Sequence, residues 1–449
     1  MNQAATMLRE QCLTLFQAGI AAADPRSAVK SYLQFENDGL KIGHHHYSNW
    51  NKVHIISFGK AACAMAQAAQ QVIPKNRIAE PGIVVTTYDN VYHMDGFEVF
   101  GASHPLPDAN GLAAAEKIAS KVQQAGKNEL ILTLISGGGS ALLPYPVEGI
   151  GLDNKITTTQ LLLSCGAEIN QINCVRKHLS RFKGGGLARL ATPATMHAMI
   201  LSDVLGDDLS AIASGPTVAD DTTFAEAIDI LKSKTIWDRV PSAVRDYMEQ
   251  GANGLKPETP KSGDPLFNSV SETLIGSNSL SVDAVVNTAH RLGYDTQIFS
   301  RHLSGEARQV AEQLVQHGKT LFEQGITQRT AVIAGGETTV TLTGNGLGGR
   351  NQEMALAFAW AADRLTLPGR WIFLSGGTDG RDGPTNATGG IVDNHTLNKI
   401  RASGIEPQTA LNNNDSYTAL SAANDLIITG ATGTNVADLQ ILLLHPFSE

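Results

Sequence analysis

The sequence predicts an α/β protein built on a parallel, doubly wound sheet. Short apolar runs at 53–58, 83–87, 130–135, 198–201, 331–334, 371–374 and 426–429 are mostly separated by segments of helical period such as 111–124 and 305–322. Several of these runs lead at once or within one residue into glycine, at Gly59, Gly137, Gly335, Gly376 and Gly430. Charged residues make up 17% of the chain, below the roughly 25% of an average domain, while 44 of the 449 residues are Gly, above the usual ~7%. Buried strands joined by glycine loops produce both deviations.

At about 100–200 residues per domain the chain holds two or three domains, each able to bury a core. Its first element is an amphipathic helix, because Leu8, Cys12, Leu13, Phe16 and Ile20 recur at helical spacing until Asp24-Pro25 stops the pattern. The polar stretch holding His44, His45 and His46 reads as an exposed loop in preference to a metal site. The strand Val53–Phe58 then runs into Gly59-Lys60 and an alanine-rich helix. Residues 251–265 carry three prolines and three glycines, the composition of a linker. The boundary is therefore expected there, with domains at 1–250 and 266–449; whether the final segment packs back on the first domain is left open.

The formal net charge is −9 and no dense basic stripe occurs, so a nucleic-acid partner is not expected. Arg9 and Glu10 sit where a signal peptide would place its apolar centre, and no apolar run approaches the length of a membrane span. The four cysteines show no CxxC spacing. A reducing, cytoplasmic setting without a membrane partner is the expectation; a homodimer is left open.

Five motifs carry chemistry. In Ser57-Phe58-Gly59-Lys60 a lysine opens a helix, where it opposes the positive end of the helix dipole at a cost of roughly a few tenths of a kcal/mol unless an anion lies between them. Lys60 thus reads as a phosphate or carboxylate ligand, or else as a solvated lysine. The loop Ser136, Gly137, Gly138, Gly139, Ser140 follows a strand, and three glycines allow a close backbone approach to a ligand. A similar run, Gly184–Gly186, reads equally well as a plain turn. Asp203 ends an apolar strand, where a carboxylate serves as general base or metal ligand; Asp207 and Asp208 are more simply caps.

Residues 344–349 satisfy GxGxxG with Asp363 nineteen positions on, but these glycines sit late in a hairpin-like stretch. Arg350, opening the next helix, suggests an anion in place of a ribose. In Ser375–Thr385, Asp379 and Asp382 are oxygen ligands for Mg²⁺ or a ligand hydroxyl, or the acceptors of Asx turns.

Together FGKAA, ASHPLPD, ISGGGSAL, VRKHLSRFKGGGLA, LSDVLGDDLSAIASGPT, AGGETTVTL, GLGGRNQEMAL and SGGTDGRDGPT resemble the class II glycerate kinases, which join a glycerate kinase N-terminal domain to a C-terminal MOFRL domain. The resemblance covers nearly the whole chain. It implies a larger Rossmann-like α/β/α domain, a smaller α/β domain and a site in the cleft between them. The activity it implies is phosphorylation of D-glycerate at its 2-hydroxyl by ATP with Mg²⁺.

Carried over from the family, Lys60, Asp203 and Arg350 are the catalytic expectations. Asp203 is expected to orient or deprotonate the hydroxyl, and Lys60 and Arg350 to neutralise phosphoryl charge. The 136–140 loop, Ser277, Asn278 and Glu337 are expected to bind substrate or nucleotide, and Asp379 and Asp382 the metal or its waters. An NAD(P)-dependent hydroxypyruvate reductase is the alternative, since members of the family have also carried that label. Against it stands the lack of a glycine fingerprint after an early strand.

Overall fold

The computed structural model describes residues 3–48 and 50–446. It divides into two compact units, one of residues 25–275 and one formed by residues 1–24 with 276–449.

The first unit opens with a small antiparallel sheet of β1 (Leu33–Glu36), β2 (Gly39–Ile42) and β3 (His45–Tyr47). The expected loop around His44–His46 is therefore largely a strand, although all three histidines are exposed. Its main sheet contains β4 (Val53–Phe58), β5 (Gly82–Thr87), β6 (Phe97–Ala102), β7 (Leu130–Ile135), β8 (Thr195–Leu201) and β9 (Val270–Gly276), in the order β6-β5-β4-β7-β8-β9. The pairs from β6 through β8 are all parallel, as the sequence predicts. Every residue of β4 and β7 is buried, so both faces of the sheet centre are covered. On one face Ile56, Phe58, Ile131 and Ile135 pack with Ile118 of helix Ala109–Gln124 and Leu187 of helix Gly186–Ala191.

This strand order fixes where a ligand can bind. From β4 the chain winds outward through β5 and β6, then returns to the other side of β4 with β7, β8 and β9. The reversal lies between β4 and β7, and open α/β sheets bind ligands beyond the carboxyl ends of strands at such a switch point. Phe58 is in register with Ile135, and Ile135 with Ile200. The segments starting at Gly59, Ser136 and Ser202 consequently leave the sheet side by side.

The second unit corrects the expectation of a parallel sheet throughout. It contains β10 (Asp295–Leu303), β11 (Thr330–Gly336), β12 (Arg370–Gly377), β13 (Gly389–Asp393), β14 (Leu426–Ile427) and β15 (Asp438–His445), ordered β10-β11-β15-β12-β13-β14. Among the described residues, β10 and β11 are the only strands of this sheet that pair in parallel; β15 runs antiparallel between β11 and β12, and the β12–β13 and β13–β14 pairs are also antiparallel. The link from β12 to β13 has no helix, so those strands cannot make the crossover a parallel pair needs.

Boundaries differ from the sequence reading as well. Helix Gln3–Ala22 packs Leu8, Cys12, Leu15 and Phe16 against Val282, Val285, Ile333, Leu374 and Ile441, which makes it part of the second unit. Residues 251–265 lie within the first unit. The last strand, β15, forms the middle of the second sheet, where its apolar run is completely enclosed. Among the described residues, no helix is long and apolar enough to cross a membrane.

Candidate active site

Beyond β4 the backbone turns at Gly59, whose φ is +121° and whose missing side chain would lie 2.2 Å from Ser136 Oγ. That contact needs glycine. Ser136 is buried and locks the two loops together: its Oγ accepts from the Ala61 N–H at 3.0 Å, and the Lys60 N–H donates to Gly137 O at 2.9 Å. Lys60, held by its backbone, keeps an exposed side chain.

Asp203, just past β8, reaches across to the same loop. A Cβ on Gly137 would stand 2.2 Å from Asp203 Oδ2, so the carboxylate rests directly against this glycine. Gly138 is left-handed at φ +83°, and a Cβ there would meet the His104 ring at 3.1 Å and Lys60 Cε at 3.5 Å. Lys60, Asp203 and His104 thus converge on Gly137-Gly138. Burial pushes the Asp203 carboxyl above its usual range, opposed by a hydrogen bond to its own backbone and by the Lys60 charge. Desolvation and Lys60 lower the His104 imidazole, which favours its neutral form near pH 7. Among the described residues, nothing accepts a hydrogen bond from the N–H groups of Gly138, Gly139 or Ser140. A positive lysine, a carboxylate of raised proton affinity and free backbone donors together suit an alcohol substrate and an incoming anion.

His104 was not singled out from the sequence, although it sits in the string ASHPLPD. Ser140 differs from its neighbours, for its Oγ faces Ser214 at 2.8 Å and accepts from Arg176. The second glycine run is structural: the Gly184 and Gly185 N–H groups donate to Ser214 O and Gly215 O. Asp208 accepts from the Ser210 N–H at 2.9 Å in an Asx turn, and the short helical turn Ile212–Ser214 that follows begins after Ala211 without a side-chain cap, so Asp208 is not the helix cap expected.

The remaining expected residues belong to the second unit. Arg350 grips the fully buried Asp438 through Nε and Nη2, the latter at 2.9 Å, and meets Glu337 through Nη1 at 2.9 Å. Burial works against its charge, but the hydrogen bonds and charge of Asp438, with Glu337 and Asp382, outweigh it and raise the guanidinium further. Asp379 lies close by, since a Cβ on Gly377 would be 3.2 Å from Asp379 Oδ1 and 3.4 Å from Asp438 Oδ1.

Asp382 is engaged elsewhere. Its oxygens accept from the backbone N–H groups of Asn351 (3.1 Å) and Gln352 (2.8 Å) and from the Gln352 side chain (2.9 Å), anchoring the start of helix Arg350–Arg364. Ser277 Oγ accepts from Leu280 N–H, and Asn278 Nδ2 donates to Val436 O and Asp438 O while its buried Oδ1 has no hydrogen-bond partner among the described residues. Asp379 shows the Asx pattern, accepting from the Arg381 N–H at 3.0 Å, whereas the Asp382 carboxylate is taken by Asn351 and Gln352. Among the described residues, no three His, Cys, Asp or Glu side chains are placed to hold a metal ion. Asp379 and Asp382 do not form a ready-made metal pair.

The glycines at 344–349 are not part of a hairpin and do not present a dinucleotide loop. The N–H groups of Gly344, Asn345, Gly346 and Leu347 are spent on Asn413, Asn414 and Asp415, and Asp363 pairs with Arg401. The first four N–H groups of this run are therefore closed to a pyrophosphate, and among the described residues only those of Gly348 and Gly349, next to the start of helix Arg350–Arg364, lack an acceptor.

Comparisons with known proteins agree with this organisation. Residues 11–249 match the family model described as a domain of unknown function, DUF4147, and residues 330–438 match the MOFRL family. The chain is 40% identical to the glycerate 2-kinase of Pyrococcus horikoshii over 97% of both chains. With the D-glycerate 2-kinase of Thermotoga maritima it shares 38% identity, over 97% of this chain and 98% of that one. A solved glycerate kinase structure from T. maritima superposes with a TM-score of 0.87 at 37% identity, covering 98% of this chain and all of that one. The chain belongs to the class II glycerate kinases, in which a DUF4147 region is joined to a MOFRL domain.

Proposed function

We propose that the chain transfers the γ-phosphoryl group of ATP to the 2-hydroxyl of D-glycerate, and that Lys60, Asp203 and the 137–140 loop carry the transfer. The supporting observation is their convergence at the switch point of the parallel sheet. Asp203 accepts the proton of the 2-hydroxyl as its oxygen attacks the γ-phosphorus, and the raised affinity of this carboxyl for protons favours that acceptance. Lys60 and the free N–H groups neutralise charge on the phosphoryl oxygens, the main requirement of a loose phosphoryl-transfer transition state. The bond from the γ-phosphorus to its bridging oxygen breaks, and ADP leaves with that oxygen. His104, beside Lys60, is a neutral hydrogen-bonding partner for the substrate.

Within the second unit Arg350 is the phosphate-binding candidate, since a phosphate oxygen could replace the half-exposed Glu337 while Asp438 holds the guanidinium in place. Asp379 is the carboxylate of the second unit that would hold a Mg²⁺ ion, which would supply charge to offset the phosphates of the nucleotide.

The test is D-glycerate-dependent ADP release. Asp203→Asn retains the hydrogen-bonding shape but cannot take a proton, so kcat should fall by about 10²–10⁴ with KM for glycerate changing much less. An unchanged kcat removes Asp203 from this role.

A further inference from the structure

The basic stretch after residue 173 contains two kinds of side chain. Lys177 pairs with Asp220, His178 with Glu258, and Arg181 lies over the Tyr145 ring. Arg176 and Lys183, with Lys155 from helix Leu152–Ser164, have no such partners: among the described residues no carboxylate pairs with any of the three. Lys155 and Lys183 are only 3% and 2% exposed. A buried ammonium is ordinarily matched by an anion, because the cost of removing it from water must be offset.

Arg176 and Lys183 sit against Ser140, the last residue of the candidate phosphate loop, and Lys155 lies near enough for charge interaction with both. Lys183 Nζ donates to Ser140 O at 2.8 Å, and Arg176 Nη2 donates to both Ser140 O and Ser140 Oγ. Ser214 Oγ, held by Asn173 Oδ1 at 3.1 Å, completes the ring of polar groups. Two donors remain unused, Lys155 Nζ and Arg176 Nε, both inaccessible to water and without any hydrogen-bond acceptor. The backbone adds a second sign of construction, since Ala213 and Ser214 both adopt left-handed φ, +50° and +62°, without being glycine. Strain of this kind persists where the surroundings enforce a geometry.

We propose that Lys155, Arg176 and Lys183 form an oxyanion subsite beside Ser140, which takes either the carboxylate of the hydroxy-acid substrate or a phosphate of the nucleotide. The subsite goes beyond the residues given to phosphoryl transfer, and its choice of anion rests on the glycerate kinase reading. Burial, and after it the charge of Arg176, depress the Lys155 amine to about 7, so an arriving anion also draws in a proton there. Arg176 is the charged group that acts on it, and Arg176 and Lys155 in turn lower the amine of Lys183.

Calorimetric titration of the intact chain with inorganic phosphate, D-glycerate and ADP, each alone, tests this without requiring turnover. Lys155→Met keeps the length of the side chain and removes the amine. Weakening by tenfold or more is expected for D-glycerate with ADP unchanged if the carboxylate occupies the subsite, and for ADP with D-glycerate unchanged if a phosphate does; inorganic phosphate should weaken in either case. A folded Lys155→Met protein that binds all three within twofold of wild type overturns the proposal, as does a wild-type chain that binds none of them. Should the variant fail to fold, the wild type alone decides. At pH 8 binding should take up a fraction of a proton, read from titrations in two buffers of different ionisation enthalpy, and binding without uptake refutes the subsite. Absence of kinase activity alongside these binding results would count against the reaction and not against the subsite.

Discussion

Gly137→Ala probes the site without removing any chemical group from it. The added methyl would lie 2.2 Å from Asp203 Oδ2 and 2.6 Å from Asp203 Cγ, whereas ordinary contact begins near 3.4 Å. The carboxylate must therefore retreat by about 1 Å. Gly137 does not have a left-handed φ, so the backbone itself accommodates alanine and the perturbation falls on Asp203. A misplacement of about 1 Å costs roughly 10²-fold in rate, equivalent to about 2.7 kcal/mol of barrier. Steady-state kinetics of ADP release should show this loss mainly in kcat. Thermal denaturation should show only the moderate penalty of an overpacked site, about 1–3 kcal/mol. A folded Gly137→Ala enzyme whose kcat stays within about threefold of wild type would refute the claim that the position of Asp203 limits the reaction.

Three further outcomes follow from the same geometry. Because burial raises the Asp203 carboxyl and only its deprotonated form accepts a proton, the acid limb of kcat/KM should lie above the ordinary aspartate range; a limb at or below that range would contradict its assignment as the base. Lys155 has a folded-state value of about 7 against 10.5 when unfolded, so between those pH values the unfolded chain binds more protons and wild-type stability should rise with pH. Chemical denaturation at pH 7 and pH 10 should show that rise diminished in Lys155→Met, and an identical slope would mean that Lys155 is charged in the fold. Finally, Arg350→Gln deprives the fully buried Asp438 of a two-pronged partner and should cost about 1–3 kcal/mol, the one-third exposure of the guanidinium limiting the loss. Glu337→Gln, at a half-exposed pair, should cost under about 1 kcal/mol, and equal losses in thermal melts would contradict this division.

What the sequence made legible was local. A strand followed by glycine predicts a close approach, and Gly59 against Ser136 and Gly137 against Asp203 are such approaches. Parallel pairing was legible in the first unit because buried apolar runs alternate there with helices. In the second unit the same kind of run is compatible with either direction, and only pairing partners distant in sequence place β15 between β11 and β12. The assignment of helix Gln3–Ala22 to the second unit was hidden for the same reason, since its apolar stripe does not name its partner.

At the site, Lys60 and Asp203 were recognisable because each breaks a local pattern next to a strand end. His104 escaped notice as one polar residue in a loop. Lys155 was invisible, since a lysine on a helix ordinarily faces solvent and nothing nearby in sequence reveals that its amine is enclosed. Asp382 misled in the opposite sense: its glycine-rich setting suggested a metal ligand, but the start of a helix thirty residues earlier claims both of its oxygens.

The most direct test of the central claim couples the enzyme to enolase, with D-glycerate, ATP and Mg²⁺ present and phosphoglycerate mutase absent. Transfer to the 2-hydroxyl predicts phosphoenolpyruvate formed in step with ADP, because enolase uses the 2-phosphate directly. ADP without phosphoenolpyruvate would contradict the assigned position of transfer, and the absence of both would contradict the assigned reaction.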